Sequence, residues 1–551
     1  MTGRAGDAAA DAAGLPPGAG GGPPAGSDGQ RAGGDPAGRG LLRWLRRAAM
    51  AAAVAAGVGG LFYAYLLQSR IQPTDADGAG NALQAWDMLH GNVLLSGWSL
   101  SDVSFYTTEL PEYMLVELVR GLNADVVHMA AAITYTLVSL LAMVLAIGRA
   151  TGREAVVRAL VVAAIMLAPT LGAASGMLLL SPDHVGTQVP LLLVLLVLDR
   201  AEPRWYVSAV IAALLVWAEV ADLLVVLVGA IPLAVVAAVR LFRHPARRYD
   251  LELLVAALVS VPVAEGVLSL IRHAGGFAVS NPLITVVSAG DIPQHLRVTA
   301  ESVLLLYSAD FFDTWLGSLR FVALLQLAGL ALAGLASGLT LRGIVREGDR
   351  VSQVMVVAIV VNLAAYTCSA TISGVDSARE LAAVLPLGAV LAARLTAQRL
   401  IAGKLVPVVL AAVLGCAAIL AYNAGRPPSP AAAQNVADWL AARHLRYGLG
   451  GYWQANNITL ASAGRIQVRP VIPWMDQVGQ DRWESEDSWY NPRLHNATFL
   501  VIDTTNPRNA WYATASEAQA TFGPPESSCK LGEYTVLIWN NNLLGYLGRQ
   551  P

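Results

Sequence analysis

Apolar residues dominate the chain between residues 41 and 423, broken at intervals by short polar segments. The apolar runs fall at 48–67, 126–148, 159–180, 187–199, 205–221, 223–241, 250–270, 316–341, 351–371, 379–396 and 403–423. A helix of roughly 17–25 apolar residues crosses a bilayer, and shorter ones do so where the membrane thins. The pattern predicts a polytopic α-helical membrane protein of about eleven spans. Residues 1–40 are Gly, Ala and Pro with scattered charge. That composition cannot bury a core and reads as a disordered cytoplasmic tail. Past Asn423 the pattern changes. GRPPSP at 425–430 reads as a linker, and 433–445 as an amphipathic helix. ITLASAGRIQVRPVI at 458–472 reads as two strands around Ala463-Gly464, with further strands at 497–503 and 534–539. Residues 424–551 are therefore expected to form an extracytoplasmic α/β domain.

The long polar stretch at 69–125 separates the first two runs. From Gly78, Ala79, Ala82, Leu83, Trp86 and Leu89 fall at helical spacing, with Asn81, Gln84 and Asp87 on the opposite side. This predicts a helix lying along a membrane surface. The stretch carries eight acids, Asp75, Asp77, Asp87, Asp102, Glu109, Glu112, Glu117 and Asp125, against Arg70 and Arg120.

Charge adds an orientation. Arginines follow every second run: Arg149, Arg153 and Arg158, then Arg200 and Arg204, then Arg240 and Arg243, then Arg342 and Arg350, then Arg394, Arg399 and Lys404. Basic loops stay in the cytoplasm. The N-terminus is then inside, and the 69–125 loop, SPDHVGTQ at 181–188, the segment 271–315, ISGVDSARE at 372–380 and the C-terminal domain are outside. Of the 551 residues, 55% are hydrophobic and 14% charged, which places the protein in the cell membrane as a multi-pass chain with membrane lipids as neighbours. A net charge of -2 argues against nucleic acid as a partner. Cys368, Cys416 and Cys529 have neither disulfide-framework nor metal spacing.

The candidate chemistry gathers at the outer ends of the spans. Asp75 and Asp77 precede the predicted helix and read locally as caps. Placed at the membrane face, they could also deprotonate a hydroxyl or hold a metal or sugar. Asp183 and His184 could orient a sugar or join a cation site, or simply cap the next span. Glu219 and Asp222, near the outer end of a span, read either as costly acids kept for function or, the preferred reading, as a short exposed turn. His273, Asp291, His295, Glu301, Asp310 and Asp313 match no metal spacing and read as surface charge. Arg379 breaks the charge rule. It reads either as a side chain snorkelling to headgroups or as a phosphate clamp.

Asp77, eleven residues before Met88 in AWDMLHGN, resembles the first outer loop of the GT-C membrane glycosyltransferases, among them the protein O-mannosyltransferases and bacterial aminoarabinose transferases. In that family an Asp, usually followed by a second acid, precedes an interfacial helix. Here Gly78 replaces the second acid and Asp75 lies two residues before; the spacing favours Asp77. Arg379 with Pro386 resembles the family's Arg-hydrophobic-Pro pattern, with Glu380 in place of the usual aromatic. The resemblance implies a polyprenyl-phosphate-linked sugar as donor and a protein, lipid or glycan acceptor. It implies Asp77 as base, Asp75, Asp183 and His184 as substrate-binding residues, Arg379 on the phosphate, and inversion at the sugar. It leaves a divalent metal open. Two other classes fit the composition: a transporter or flippase of lipid-linked saccharides, and a non-catalytic envelope-polymer-binding protein. A transporter needs acids or broken helices at mid-membrane, whereas these acids sit at the span ends.

Overall fold

The computed structural model describes residues 36–243, 248–280, 285–310, 317–344, 348–372, 374–504 and 513–548. The expected N-terminal tail, up to residue 35, and Asp313 lie outside them. The chain divides into two compact units, Met1–Gly57 and Val58–Pro551. The second holds every element below beyond the start of α1.

The helices follow the apolar runs closely. They are α1 (Pro36–Ser69), α2 (Ala76–Leu89), α3 (Glu109–Arg120), α4 (Asp125–Ile147), α5 (Gly152–Met166), α6 (Ala173–Leu179), α7 (Gln188–Arg200), α8 (Trp205–Ala221) and α9 (Ile231–Arg243). Then come α10 (Arg248–His273), α11 (Ile292–Leu306), α12 (Gly317–Arg342), α13 (Arg350–Cys368), α14 (Val384–Ala402) and α15 (Val406–Ala424). Among the described residues, eight helices are long and apolar enough to cross a membrane: Trp44–Ser69, Asp125–Ile147, Val226–Arg243, Arg248–His273, Val322–Arg342, Arg350–Cys368, Ser377–Ala402 and Val406–Ala424. The other three apolar runs form shorter helices. The run 159–180 is interrupted where α5 ends at Met166, ahead of Pro169, which offers no N–H to continue it. The helices α7 and α8 have 13 and 17 residues.

The C-terminal region adds α16 (Gln434–Ala442), α17 (Tyr452–Ala461) and α18 (Ala515–Phe522). Its strands are β3 (Tyr447–Gly450), β4 (Gln467–Trp474), β5 (Gln477–Gln480), β7 (Phe499–Asp503), β8 (Ser527–Leu531) and β9 (Tyr534–Ile538), preceded by β1 (Trp98–Leu100) and β2 (Ala278–Val279), with β6 (Ser485–Glu486) between β5 and β7. Six of them form one mixed sheet in the order β5-β4-β3-β7-β9-β8, parallel at β4-β3-β7 and antiparallel elsewhere. The first of the two strands expected at 458–472 is instead helical. Ile458 to Ala461 close α17, and Ala463 and Gly464, at φ 54° and 74°, turn the chain into β4. Asn456, Thr459 and Leu460 are buried on successive sides of α17, so packing from all sides overrides the β-branched pattern.

Two features place the C-terminal region against the first loop. A second small sheet, β2-β1-β6, joins β1 of that loop to Ser485–Glu486, with Trp98 opposite Glu486. The helix α17 packs on α2. The sequence reading of α2 as a surface-lying helix is corrected here. Asn81 and Gln84 on its polar side are as buried as Ala79 and Ala82 on its apolar side. The apolar side packs with α3 and α4, and the polar side meets polar partners from elsewhere in the chain. It is α3 that presents Leu115, Leu118 and Val119 outward, while Glu109 and Glu117 turn inward.

Candidate active site

The site is built where α2 begins. Asp75, in extended conformation, caps the helix by accepting from the Gly78 N–H at 3.0 Å. Asp77 lies in the first turn and is not the cap. Gly78 is required by close packing. A Cβ there would stand 2.6 Å from Val127 Cγ1, 2.7 Å from Asp75 Oδ1 and 3.0 Å from Ser181 Cβ. The position that resembles the family's second acid thus has no room for any side chain.

Three distant segments meet at these acids. Arg379, in the short helical turn Val375–Leu381 before α14, places its guanidinium among three carboxylates. It lies 2.6 Å from Asp75, 3.5 Å from Asp183 and 3.8 Å from Asp77. The snorkelling reading of Arg379 is overturned, because the side chain turns inward to these acids. Ser181 places its hydroxyl between Asp75, at 3.0 Å, and Asp183, at 2.8 Å. Asn81 Nδ2 donates to Asp183 Oδ1 at 2.8 Å, which is what the polar side of α2 does. Oxygens of Asp75, Asp77 and Asp183 lie within 4.8 Å of one another, a spacing a divalent cation could bridge. In this arrangement Arg379 supplies the balancing charge.

Asp183 and His184 are adjacent in sequence and face different partners. His184 has φ 60°, a left-handed conformation that His tolerates better than most residues. The reversal sends Asp183 into the carboxylate cluster and sends His184 Nδ1 to Asp222 Oδ2 at 2.8 Å. The exposed-turn reading of Glu219 and Asp222 is therefore corrected. Both are buried, and Glu219 accepts from Ser260 at 2.9 Å. Burial opposes the imidazolium of His184, but the charge and hydrogen bond of Asp222 outweigh it and push the pKa to about 9. His184 is cationic at neutral pH. His273, His295 and Glu301 do not reach the site.

Two residues that the sequence reading did not identify complete it. Tyr452, at the start of α17, lies 2.8 Å from Asp77 Oδ1 and 2.7 Å from Glu484 Oε2. Glu484 is buried beside β6 at φ 46°, a strained backbone for a non-glycine residue. Its carboxyl occupies the space a side chain at Gly80 would need. No local pattern marks either residue, since each is brought in by the C-terminal region. A cavity of about 510 Å³ opens at the site, with Asp77, Asp183, His184, Arg379 and Glu484 on its walls beside Trp453 and Trp483.

Four carboxyls against one guanidinium cannot all be ionised in a buried site. Burial, then the charge of Asp75, pushes Asp183 up to about 7. Burial, then the charge of Asp77, pushes Glu484 well above the carboxylate range. Burial and then Asp75 also raise Asp77, opposed by Arg379 and Tyr452. A carboxyl whose pKa is raised is, once ionised, a stronger base than a free aspartate.

No protein-family model matches the chain, and no curated protein matches it in sequence. Solved structures that resemble it include ArnT from Cupriavidus metallidurans in the apo state, with 14% identity, 91% of this chain and 100% of that one covered, and a TM-score of 0.44. The Archaeoglobus fulgidus oligosaccharyltransferase, in complex with Zn and sulfate, has 11% identity, 81% and 68% coverage and a TM-score of 0.44. The mycobacterial arabinofuranosyltransferase AftD has 14% identity and a TM-score of 0.41; 88% of this chain matches 42% of that one. These are GT-C glycosyltransferases, the superfamily whose loop motif the sequence resembles. At TM-scores of 0.41 to 0.44 the likeness carries no functional weight, and the chemistry is read from the site's own residues.

Proposed function

We propose that this chain is an integral membrane glycosyltransferase that moves a sugar from a polyprenyl-phosphate donor to an acceptor hydroxyl at the outer membrane face. One observation supports this above the rest. Asp77, Asp183, His184 and Arg379, from three separate segments, converge on one cavity that brings carboxyls together with an imidazole and a guanidinium. Asp77 takes the proton from the acceptor hydroxyl. The acceptor oxygen then bonds to the anomeric carbon from the face opposite the phosphate. The bond from that carbon to the phosphate oxygen breaks, and the lipid phosphate leaves with the electron pair, inverting the sugar. The cationic His184 and Arg379 stabilise the charge gathering on the leaving phosphate. Asp75 and Asp183 hold Arg379 in place and offer acceptors to sugar hydroxyls.

The transporter reading finds a broken helix between α5 and α6, but the acids of the site cluster at the span ends rather than at mid-membrane. Incubation of purified protein with labelled polyprenyl-phosphate sugars tests the proposal. Transfer of label, or its slow release to water without an acceptor, is expected. Folded protein that releases no label from any such donor overturns it.

A further inference from the structure

The Tyr452 hydroxyl stands at hydrogen-bond distance from two carboxyl oxygens, Asp77 Oδ1 at 2.8 Å and Glu484 Oε2 at 2.7 Å. A phenol has one proton to donate and can also accept. It cannot donate to two ionised carboxylates at once. One of these contacts must run the other way, with a protonated carboxyl donating to the phenol oxygen. The surroundings decide which. Asp77 side-chain atoms are 33% exposed and a guanidinium lies 3.8 Å away. Glu484 is 3% exposed and has no ion-pair partner among the described residues. A charge is more costly on Glu484.

We propose that Glu484 is a positioning residue, held as a neutral carboxylic acid that donates to Tyr452, so that the single Tyr452 proton is committed to Asp77 Oδ1. The inference rests on Asp77 being the base. Its consequence is that Asp77 Oδ1 is occupied and the carboxylate is fixed, leaving Oδ2 to receive the acceptor's proton. The C-terminal region thereby sets the orientation of a base carried by the first loop. Burial and the acids facing Glu484 favour this state and outweigh hydrogen bonds from Tyr452 and Ser101 that oppose it. Asp77 on α2 and Asp183 in the 181–187 turn are acidic, and Tyr452 on α17 stays protonated because burial and the adjoining carboxyls hold its pKa well above the usual range. On its own loop Asp481 accepts from the Trp483 N–H, and Arg482 turns to Asp487.

The test separates an oriented hydrogen bond from mere filling of space. Gln at 484 donates through its amide at every pH, so Glu484→Gln keeps the neutral-pH kcat within about threefold. Glu484→Ala and Tyr452→Phe lower it about tenfold, the equivalent of one hydrogen bond. Gly80→Ala, a favourable change for the helix itself, displaces the Glu484 carboxyl and lowers kcat likewise. In the wild type, kcat at saturating donor falls as pH rises through the titration of Glu484, in addition to the fall set by His184, and in Glu484→Gln only the His184 component remains. Infrared difference spectra of wild type against Glu484→Gln show a carboxylic-acid carbonyl band at neutral pH that fades along the same limb. This readout needs no substrate. The proposal is overturned if Glu484→Gln is as slow as Glu484→Ala, if its pH profile is the same as the wild type's, or if the band is missing. Full activity in Asp77→Asn would instead remove the glycosyltransferase reading beneath it.

Discussion

His184 shows how one backbone angle decides a residue's part. Its left-handed φ separates it from Asp183 and delivers it to Asp222, which keeps it charged. The sign of the pH dependence follows. A histidine whose folded pKa is raised to about 9 contributes its charge fully below its ordinary value of 6.5 and loses it as pH rises through about 9. Donor affinity should therefore hold across neutral pH and weaken above about 9. Asp222→Asn removes the anion that sustains the imidazolium, leaving burial to lower the pKa. Affinity for a polyprenyl-phosphate donor should then already fall between pH 6 and 8, by about tenfold for the loss of one charge-assisted contact. A donor titration at several pH values checks this; unchanged affinity in Asp222→Asn would show that His184 does not meet the phosphate.

At the scale of elements, α2 carries the site, and its sequence spelled out its length but not its setting. The apolar spacing from Ala79 to Leu89 located the helix, because it depends on neighbours within one turn, but the Asp77-Gly78 pair pointed to a cap two residues late, since the cap is Asp75. The burial of Asn81, which donates to Asp183 102 residues on, and the packing of α17 on α2 come from distant parts of the chain, and no local pattern reports them. The same holds for the acids and for Arg379. Each was legible alone from its position at a span end, whereas their meeting was not. Tyr452 and Glu484 had no local mark at all. Gly78 offers a direct test of the packing at this point. Gly→Ala usually helps a helix by about 1 kcal/mol, yet here the added Cβ meets Val127, Asp75 and Ser181. Gly78→Ala should lower stability, by about 1–3 kcal/mol for overpacking, and should displace the Asp75 cap. Thermal unfolding of the purified protein in detergent measures it; an unchanged or raised midpoint would contradict the packing described.

For the whole molecule, the charge alternation along the chain gains a spatial counterpart. Arg149, Arg158, Arg240, Arg350 and Arg394 line a single cavity of about 710 Å³. They stand at the opposite ends of α4 and α14 from Asp125 and Arg379, with Arg394 paired to Asp199 and Asp349. One end of the helices is basic and the other carries the site; if the basic end faces the cytoplasm, the site faces outward. A reporter active only outside the cell should work when fused after Asn423 and fail when fused after Arg350. The reverse pattern would place the site inside the cell.

The central claim is that Asp77 is the base, and the structure makes its test cleaner than the sequence alone allowed. Asp75 is the cap of α2 and Asp77 is not. Asn at 77 still accepts from Tyr452, so folding and donor binding are retained. Asn cannot take the acceptor's proton, and losing a general base costs on the order of 10²–10⁴-fold in rate. Asp75→Asn, which keeps the cap, is the internal comparison and should retain partial activity. The decisive measurement is the rate of sugar transfer by Asp77→Asn, in protein shown to be folded and to bind donor. If Asp77 is the base, the rate falls by that much; transfer at the wild-type rate would show that it is not.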